Sequence, residues 1–534
     1  VQQMIARPEQ QAYVKDVAAL GTRNLPPGGE HTLHLMCEQI PQGARRILDL
    51  GCNTGWTTSV LAQLRPGADV VGIDISPDMI TTAGATYQAG NLSYLRLDAG
   101  QVAQEFTGVD AIVCFGSSAF FADETEVFAA IRAALDERTR FVNAHYVYDP
   151  ATPQHLRERE RDEFGVSNVP TSAQQCLQSY EKAGFDLGSY RRQPRWLLPD
   201  RAHADIYRSI LKNLPGMDTV VDDMLRRRLL IQALCAFRHP VIVSTETPPA
   251  DAGHEHASPA RVLKAMQFFR LPFKAQPIER LRAMRPYEFL AYIGDPDAAP
   301  GGAAAVTRAA HLLRELGLPE HAEVLDVGSF TGMSTFALAE VFPHTTGIDI
   351  DGVFVAAASM LGACLSSRAR FQHGDAAQTG REPASLDAVV MTATLGYTPD
   401  PHKLLQEAFR VLRPGGLFVE FLYHHRDCGD AAHALVHSSV GPDVRLRALS
   451  SQVNDIEDAG FRLIRAERIV TPTAEPTAAS TVIDALIAQE RARNSPMTDA
   501  EQDEFASLLR RYLSRDIATA LDAKAYLCVF EKPT

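Results

Sequence analysis

Residues 45–55 read Arg45-Arg46-Ile47-Leu48-Asp49-Leu50-Gly51-Cys52-Asn53-Thr54-Gly55. The apolar run Ile47 to Leu50 has strand character, stops at glycine, and gives way to a helical pattern from Thr57 to Leu64. That is a strand, a tight loop and a helix. Gly51 and Gly55 allow a sharp turn and a close approach of backbone to a ligand. Asp49 falls at the end of the strand, where open α/β sheets bind their ligands. The same phrase returns as Glu323-Val324-Leu325-Asp326-Val327-Gly328-Ser329-Phe330-Thr331-Gly332. The chain is built to do one thing twice, or once with a copy in support.

Outward from the first loop, strand and helix patterns alternate. Val70 to Asp74 reads as a strand and Pro77 to Thr86 as a helix with proline in its first turn. Leu92 to Leu97, ending at Asp98, and Asp110 to Phe115 read as the next strands. A helix over Glu124–Leu135 and a fifth strand over Thr139–Tyr148 follow. The helix Ser172–Ala183 stops at Gly184, and a strand starts at Phe185. Residues 1–44 and 200–238 read as helical, and Pro240–Thr245 as a last strand. The second half repeats this order. Asp49, Asp74, Asp98 and Asp110 return as Asp326, Asp349, Asp375 and Asp387, at offsets of 277, 275, 277 and 277 residues. Ala183-Gly184-Phe185 returns as Ala459-Gly460-Phe461 at 276. Such constancy indicates duplication of a whole domain, since solenoid periods are far shorter. The join falls in the Pro-rich stretch Glu246 to Gly253, which predicts domains over 1–250 and 251–534. Alternation predicts an α/β, doubly wound, mostly parallel sheet in each. The last strands, Pro240–Thr245 and Ala525–Phe530, are expected to run antiparallel.

The 534 residues are 46% hydrophobic and 22% charged, ordinary for globular protein, and carry a net charge of −13. That balance gives no electrostatic footprint for nucleic acid or an anionic membrane. Eight cysteines are scattered, with no CxxC and no Cys/His cluster of zinc spacing, so neither a metal site nor a disulfide framework is expected. No transmembrane-length run and no signal-peptide pattern occurs, which points to a cytoplasmic enzyme.

The ordered set of loop, Gly72-Ile73-Asp74-Ile75-Ser76, Asp98 and Asp110 resembles the class I S-adenosylmethionine-dependent methyltransferases. The resemblance covers nearly the whole chain as two fused copies. Copy two adds Arg413-Pro414-Gly415-Gly416-Leu417-Phe418, a turn before a strand that is common in that family. It implies two tandem Rossmann-like sheets, each with added helical lid segments, and S-adenosyl-L-methionine as cofactor, released as S-adenosyl-L-homocysteine. The cofactor residues it implies in copy one are Asp49, Gly51, Asn53, Gly55, Asp74, Ile75, Met79, Asp98, Ala99 and Phe115. In copy two they are Asp326, Gly328, Phe330, Gly332, Asp349, Ile350, Asp375, Ala376 and Thr392. Asp49 and Asp326 suit an ammonium group, and Asp74 and Asp349 suit two ribose hydroxyls, because a carboxylate accepts two such donors. A dinucleotide site would use the same acid, but the spacing is Gly51-x-x-x-Gly55 and not GxGxxG. The family often has a middle glycine where this chain has Asn53 and Phe330. Asn tolerates a left-handed backbone, and related small-molecule O-methyltransferases carry an aromatic there.

The implied function is methyl transfer to a small-molecule metabolite, at two sites or in two steps. Candidate acid–base residues are His145 and Tyr148 in copy one and Tyr423 and His424 in copy two, with packing as the plainer reading of His145. Thr394, Tyr397, Glu420 and His425 lie in the same stretches. Two alternatives stand beside this. One half, the C-terminal one first, is a silent cofactor-binding or scaffold module within an intrachain pseudo-dimer, or the fold uses the cofactor as a cationic scaffold without methyl transfer. Homo-oligomers fit either. Carbon, nitrogen and oxygen acceptors are all open.

Overall fold

The computed structural model describes residues 27, 29–193, 227, 230, 234, 237–245, 259–295, 300–425, 429–439, 445–469, 476–493, 497–513 and 524–534. The chain divides into two compact units, Val1–Ala252 and Gly253–Thr534. The helical reading of residues 1–26, most of that of 200–238, and the join at 246–253 lie outside the described residues.

The first unit holds β1 (Arg46–Leu50), β2 (Asp69–Asp74), β3 (Leu92–Arg96), β4 (Val109–Phe115), β5 (Leu135–Tyr148), β6 (Leu187–Arg192) and β7 (Arg238–Thr245). Their order across the sheet is β3-β2-β1-β4-β5-β7-β6. The first five run parallel. As the sequence led us to expect, β7 runs antiparallel, to β5 on one side and β6 on the other. It is buried along its whole length, which explains its continuous Val-Ile-Val character. One face of the sheet packs Ile47, Val70, Ala111, Val113 and Val142 against Leu33, Met36 and Ile40 of the helix Gly29–Gln39. The other face carries an aromatic group in which Phe128, Phe141, Tyr180 and Phe185 meet.

The second unit repeats this with β8 (Glu323–Val327), β9 (His344–Asp349), β10 (Arg370–His373), β11 (Leu386–Met391), β12 (Leu412–His424), β13 (Arg462–Ile469) and β14 (Lys524–Glu531). The order is β10-β9-β8-β11-β12-β14-β13, with β14 antiparallel to both neighbours. Phe418 is fully buried and stacks on Phe461 at 4.8 Å between ring centroids. Helices Pro259–Arg270, Pro286–Ile293, Pro476–Arg493 and Asp499–Leu513 add a core of their own, with Met266, Phe289, Tyr292, Leu486, Phe505 and Leu509. Buried Glu490 at its centre pairs with Arg270 and accepts from the Tyr292 hydroxyl at 2.5 Å.

Among the boundaries that differ from the sequence reading, two have a local cause. β3 ends at Arg96, because the Asp98 carboxylate turns to accept the Gly100 amide and caps a short helical turn. β5 begins at Leu135, paired with Val109, and then bulges before Arg140 pairs with Ala111. The Pro-Gly-Gly turn of copy two fills the equivalent bulge, between Leu386/Leu412 and Ala388/Leu417. Copy one makes the same bulge without glycine. Asp110 and Asp387 act at the end of the sheet opposite the glycine loops. Asp110 accepts the Arg45 and Arg46 amides at 2.7 and 2.9 Å, and Asp387 accepts the Glu323 amide at 2.8 Å.

Replacing Phe418 by Ala removes a fully buried ring from the second unit's core. It is expected to cost about 3–5 kcal/mol, measured by urea unfolding with a probe local to that unit.

Candidate functional site

The glycine loop in each unit is shaped by what surrounds it. Gly51 and Gly55 have φ of 72° and 85°, a region that side chains with a Cβ avoid. A Cβ on Gly51 would overlap Ser117, and one on Gly328 would overlap Thr394. The same two hydroxyls bind the loop down: the Thr394 hydroxyl donates to the Val327 carbonyl at 2.9 Å and the Ser117 hydroxyl to that of Leu50 at 2.5 Å. The loop amides then cross to the neighbouring strand. Gly51 and Cys52 donate to the Ile73 carbonyl at 2.7 and 2.9 Å, and Gly328 and Ser329 to that of Ile348 at 2.9 and 3.1 Å.

Asn53 and Phe330 occupy one conformation, with φ of 51° and 50°. Their amides donate to Asp74 and Asp349 at 2.9 and 2.8 Å. The Phe330 ring lies at 4.8 Å from Phe354 and 5.9 Å from Tyr287, which in turn meets Tyr397 at 5.0 Å. A bulky residue at a left-handed position is unusual. Here two aromatic partners, Phe354 and Tyr287, hold it, and its φ matches that of Asn53 in copy one.

Asp49 and Asp326 are fully buried at the carboxyl ends of β1 and β8. One oxygen of Asp49 accepts the hydroxyls of Thr57 and Thr58 at 2.9 and 2.6 Å, and one of Asp326 accepts those of Ser334 and Thr335 at 2.6 Å each. The second oxygen of each has no partner among the described residues. Burial raises both carboxyls from the ordinary 3.8 to about 6, with the paired hydroxyls opposing. The hydroxyl pairs went unnoticed in the sequence. Their signal was there: a hydroxyl at both the eighth and ninth residues after the strand-end Asp, in both copies.

Asp74 and Asp349 are held in parallel fashion. Each spends one lone pair per oxygen on loop amides, Asn53 and Ser76 in the first unit and Phe330 and Asp351 in the second, at 2.8–2.9 Å. Burial pushes both carboxyls upward, while these amides hold them down. A carboxylate offers about four acceptor sites, so each keeps capacity for two hydroxyl donors. Asp375 accepts the Ala377 amide at 2.8 Å, as Asp98 does that of Gly100 at 2.9 Å. Ala99 and Ala376 open the short turns those acids cap. Phe115 ends β4, and Thr392 follows β11 by one residue. Ile350 is 74% exposed and Val353 62% exposed beside Asp349, an apolar platform open to solvent. Met79, by contrast, is wholly buried inside its helix, so it presents no face for stacking in the first unit.

The four acid–base candidates are engaged elsewhere. His145 is buried with Nε2 at 3.2 Å from the Cys176 sulfur, and burial lowers its pKa to about 4, leaving a neutral ring at neutral pH. The Tyr148 phenol donates to buried Glu160, which also binds Arg238. His424 Nδ1 accepts the Leu449 amide at 3.0 Å and caps the helix Leu449–Asp458. Tyr423 packs along the second unit's hydrophobic core. His145, Tyr148 and His424 turn into the flanking layers, whereas Tyr423 lies within electrostatic reach of Tyr287. No group of His, Cys, Asp and Glu among the described residues could hold a metal ion, and no described helix is long and apolar enough to cross a membrane.

A carboxyl titrating near 6 when folded, against 3.8 when unfolded, contributes stability that is whole below pH ~4 and lost as pH rises through 6. Asp49→Asn and Asp326→Asn are therefore expected to gain on the parent protein between pH 5 and pH 8, by roughly 1–1.5 kcal/mol each. Thermal unfolding without added ligand, at the two pH values, checks this.

Residues 47–138 and 325–419 each match a methyltransferase-domain family. Trans-aconitate 2-methyltransferase of Deinococcus radiodurans is 29% identical over 175 residues, which are 32% of this chain and 60% of that protein. The Variovorax paradoxus enzyme of the same name is 30% identical over 132 residues, 24% of this chain and 49% of that protein. The chain thus spans about half the length of the curated relatives it matches. A solved Haemonchus contortus phosphoethanolamine N-methyltransferase 2 in complex with S-adenosyl-L-methionine aligns over 95% of this chain and 99% of its own, at 12% identity and a TM-score of 0.34. With a family match and the same loop-and-acid geometry in each unit, the chain is a tandem pair of class I S-adenosyl-L-methionine-dependent methyltransferase domains.

Proposed function

We propose that the chain methylates a small-molecule acceptor and that each unit holds its own cofactor. The observation that carries this is the buried second oxygen of Asp49 and of Asp326, without a partner among the described residues, on a carboxylate fixed in place by two hydroxyls. An unpaired buried acceptor costs about 1–3 kcal/mol, and an ammonium group arriving there would satisfy it. Asp74 and Asp349 would take the ribose hydroxyls with their remaining lone pairs. The exposed Ile350 would lie against the adenine in the second unit. Bound S-adenosyl-L-methionine supplies an electrophilic methyl group, and the chain's own contribution is orientation and exclusion of water. In the second unit Tyr287, on the helix Pro286–Ile293, meets both Phe330 of the glycine loop and Tyr397 after β11, and would shut solvent from that cleft.

The silent-module alternative singled out the second unit because of Phe330. The equal φ values and equal amide contacts at Asn53 and Phe330 favour a working site in both.

Calorimetric titration with S-adenosyl-L-homocysteine is expected to show two binding events. Asp49→Ala should remove one and Asp326→Ala the other. A single event indifferent to Asp326→Ala would sink the two-site reading. Affinity at both sites should fall as pH drops below about 6, where the two acids take up protons.

A further inference from the structure

The two units differ most sharply at one buried position of the fifth strand. In the first, Asn143 pairs with Cys114 of β4, in the register row of Leu50 just below the glycine turn. In the second, Glu420 pairs with Met391, in the row of Val327. The offset is again 277 residues, and both side chains are fully buried. Asn143 is satisfied: its amide nitrogen donates to the Ser118 hydroxyl at 3.1 Å and the Tyr180 hydroxyl at 3.0 Å. The residues at the places of Ser118 and Tyr180 in the second unit are Leu395 and Ile456. Glu420 therefore carries a carboxyl where its counterpart's partners are gone, and no side chain among the described residues hydrogen-bonds either of its oxygens.

Among the described residues, the surroundings offer Glu420 no charge. Its neighbours across the sheet are Met391 and Cys528. The helix Leu449–Asp458 buries Leu449, Ser450, Val453 and Ile456. The helix Pro401–Val411 buries one acid, Glu407, which is already bound to Arg410 and Thr379. The backbone amide of Leu395, on the turn after β11, is the one donor whose influence reaches it, and burial pushes the carboxyl well above the usual carboxylate range. A buried acid with one backbone donor and no counter-charge is costly. It sits one row nearer the carboxyl edge of the sheet than Asp326 and on the opposite face, facing the Leu395 amide of the turn Thr394–Tyr397.

We propose that Glu420 is the proton acceptor for the methyl acceptor in the second unit, so that this unit serves acceptors bearing an ionisable hydroxyl, amine or carbon acid. The inference rests on the second unit being an active methyltransferase. The proton of the acceptor's X–H bond passes to a Glu420 oxygen, and X uses the electron pair left behind to form its bond to the methyl carbon. The pair of the broken carbon–sulfur bond stays on the leaving thioether, and Glu420 returns its proton to solvent. Asn143 cannot take up a proton, so the first unit lacks this route. A buried carboxylate that holds a proton more strongly than an exposed one is suited to such a task.

The test uses the full chain. Infrared difference spectra of the parent minus Glu420→Gln, with S-adenosyl-L-homocysteine bound, should show a protonated carboxyl that disappears as pH rises. In an Asp49→Ala background, so that the second unit alone turns over, S-adenosyl-L-homocysteine formation is followed with hydroxyl-, amine- and carbon-acid acceptors. The parent rate should rise with pH, and Glu420→Gln should lower it by about 10²–10⁴-fold and flatten the profile, with Glu420→Asp recovering part of both. A missing carboxyl band, or an unchanged rate and profile in Glu420→Gln, overturns the role of Glu420 alone. Loss of the Asp326-dependent binding event, or no turnover with any acceptor, overturns the active second unit and the proposal with it.

Discussion

The structure depends on a carboxylate buried at the end of a central strand. Asp49 and Asp326 lie where a parallel sheet is most enclosed, and a bare acid there is unfavourable. Two hydroxyls from the following helix make it tolerable by binding one oxygen. That arrangement fixes the start of the helix against the strand, and so fixes the loop between them. The glycines, the crossing amides and the second acid all follow from where the loop must run. What is left over, one unpaired oxygen in each unit, is the feature a cationic ligand can use.

The scaffold around that carboxylate is symmetrical in its backbone and different in its side chains. Asn53 and Phe330 show this best, since one is a turn former and the other an aromatic, yet their backbones coincide. Asn53 accepts the Thr54 amide through its own side chain at 2.7 Å. Phe330 gains its support from Tyr287 and Phe354. Local hydrogen bonding in one unit is replaced by ring packing in the other, and the loop amide reaches its acid in both.

The repeat and the strand ends were legible because they are written in period and spacing. Strand-end acids at a nearly constant offset survive as a pattern even where the residues between them change. The orientation of side chains was not legible. His145 and His424 stand as acid–base candidates when the strand is read alone, with packing the plainer reading of His145. Only the packing of the helices Ala173–Lys182 and Leu449–Asp458 shows that Cys176 and the Leu449 amide claim them. Gly51 and Gly328 likewise read as room for a ligand, whereas Ser117 and Thr394 already fill much of that room. Long-range contacts of this kind leave no local signature, so a motif gives the place of a site more readily than its donors.

The antiparallel last strand has a consequence of its own. β5 and β12 are zipped along both edges, to β4 and β7 in one unit and to β11 and β14 in the other. A strand clamped on two sides cannot shift its register to accommodate a new residue. A change at position 143 or 420 is therefore felt as chemistry and not as geometry. Duplication of such a frame yields two equivalent sockets, in which an amide can be exchanged for an acid while every neighbouring strand stays in place.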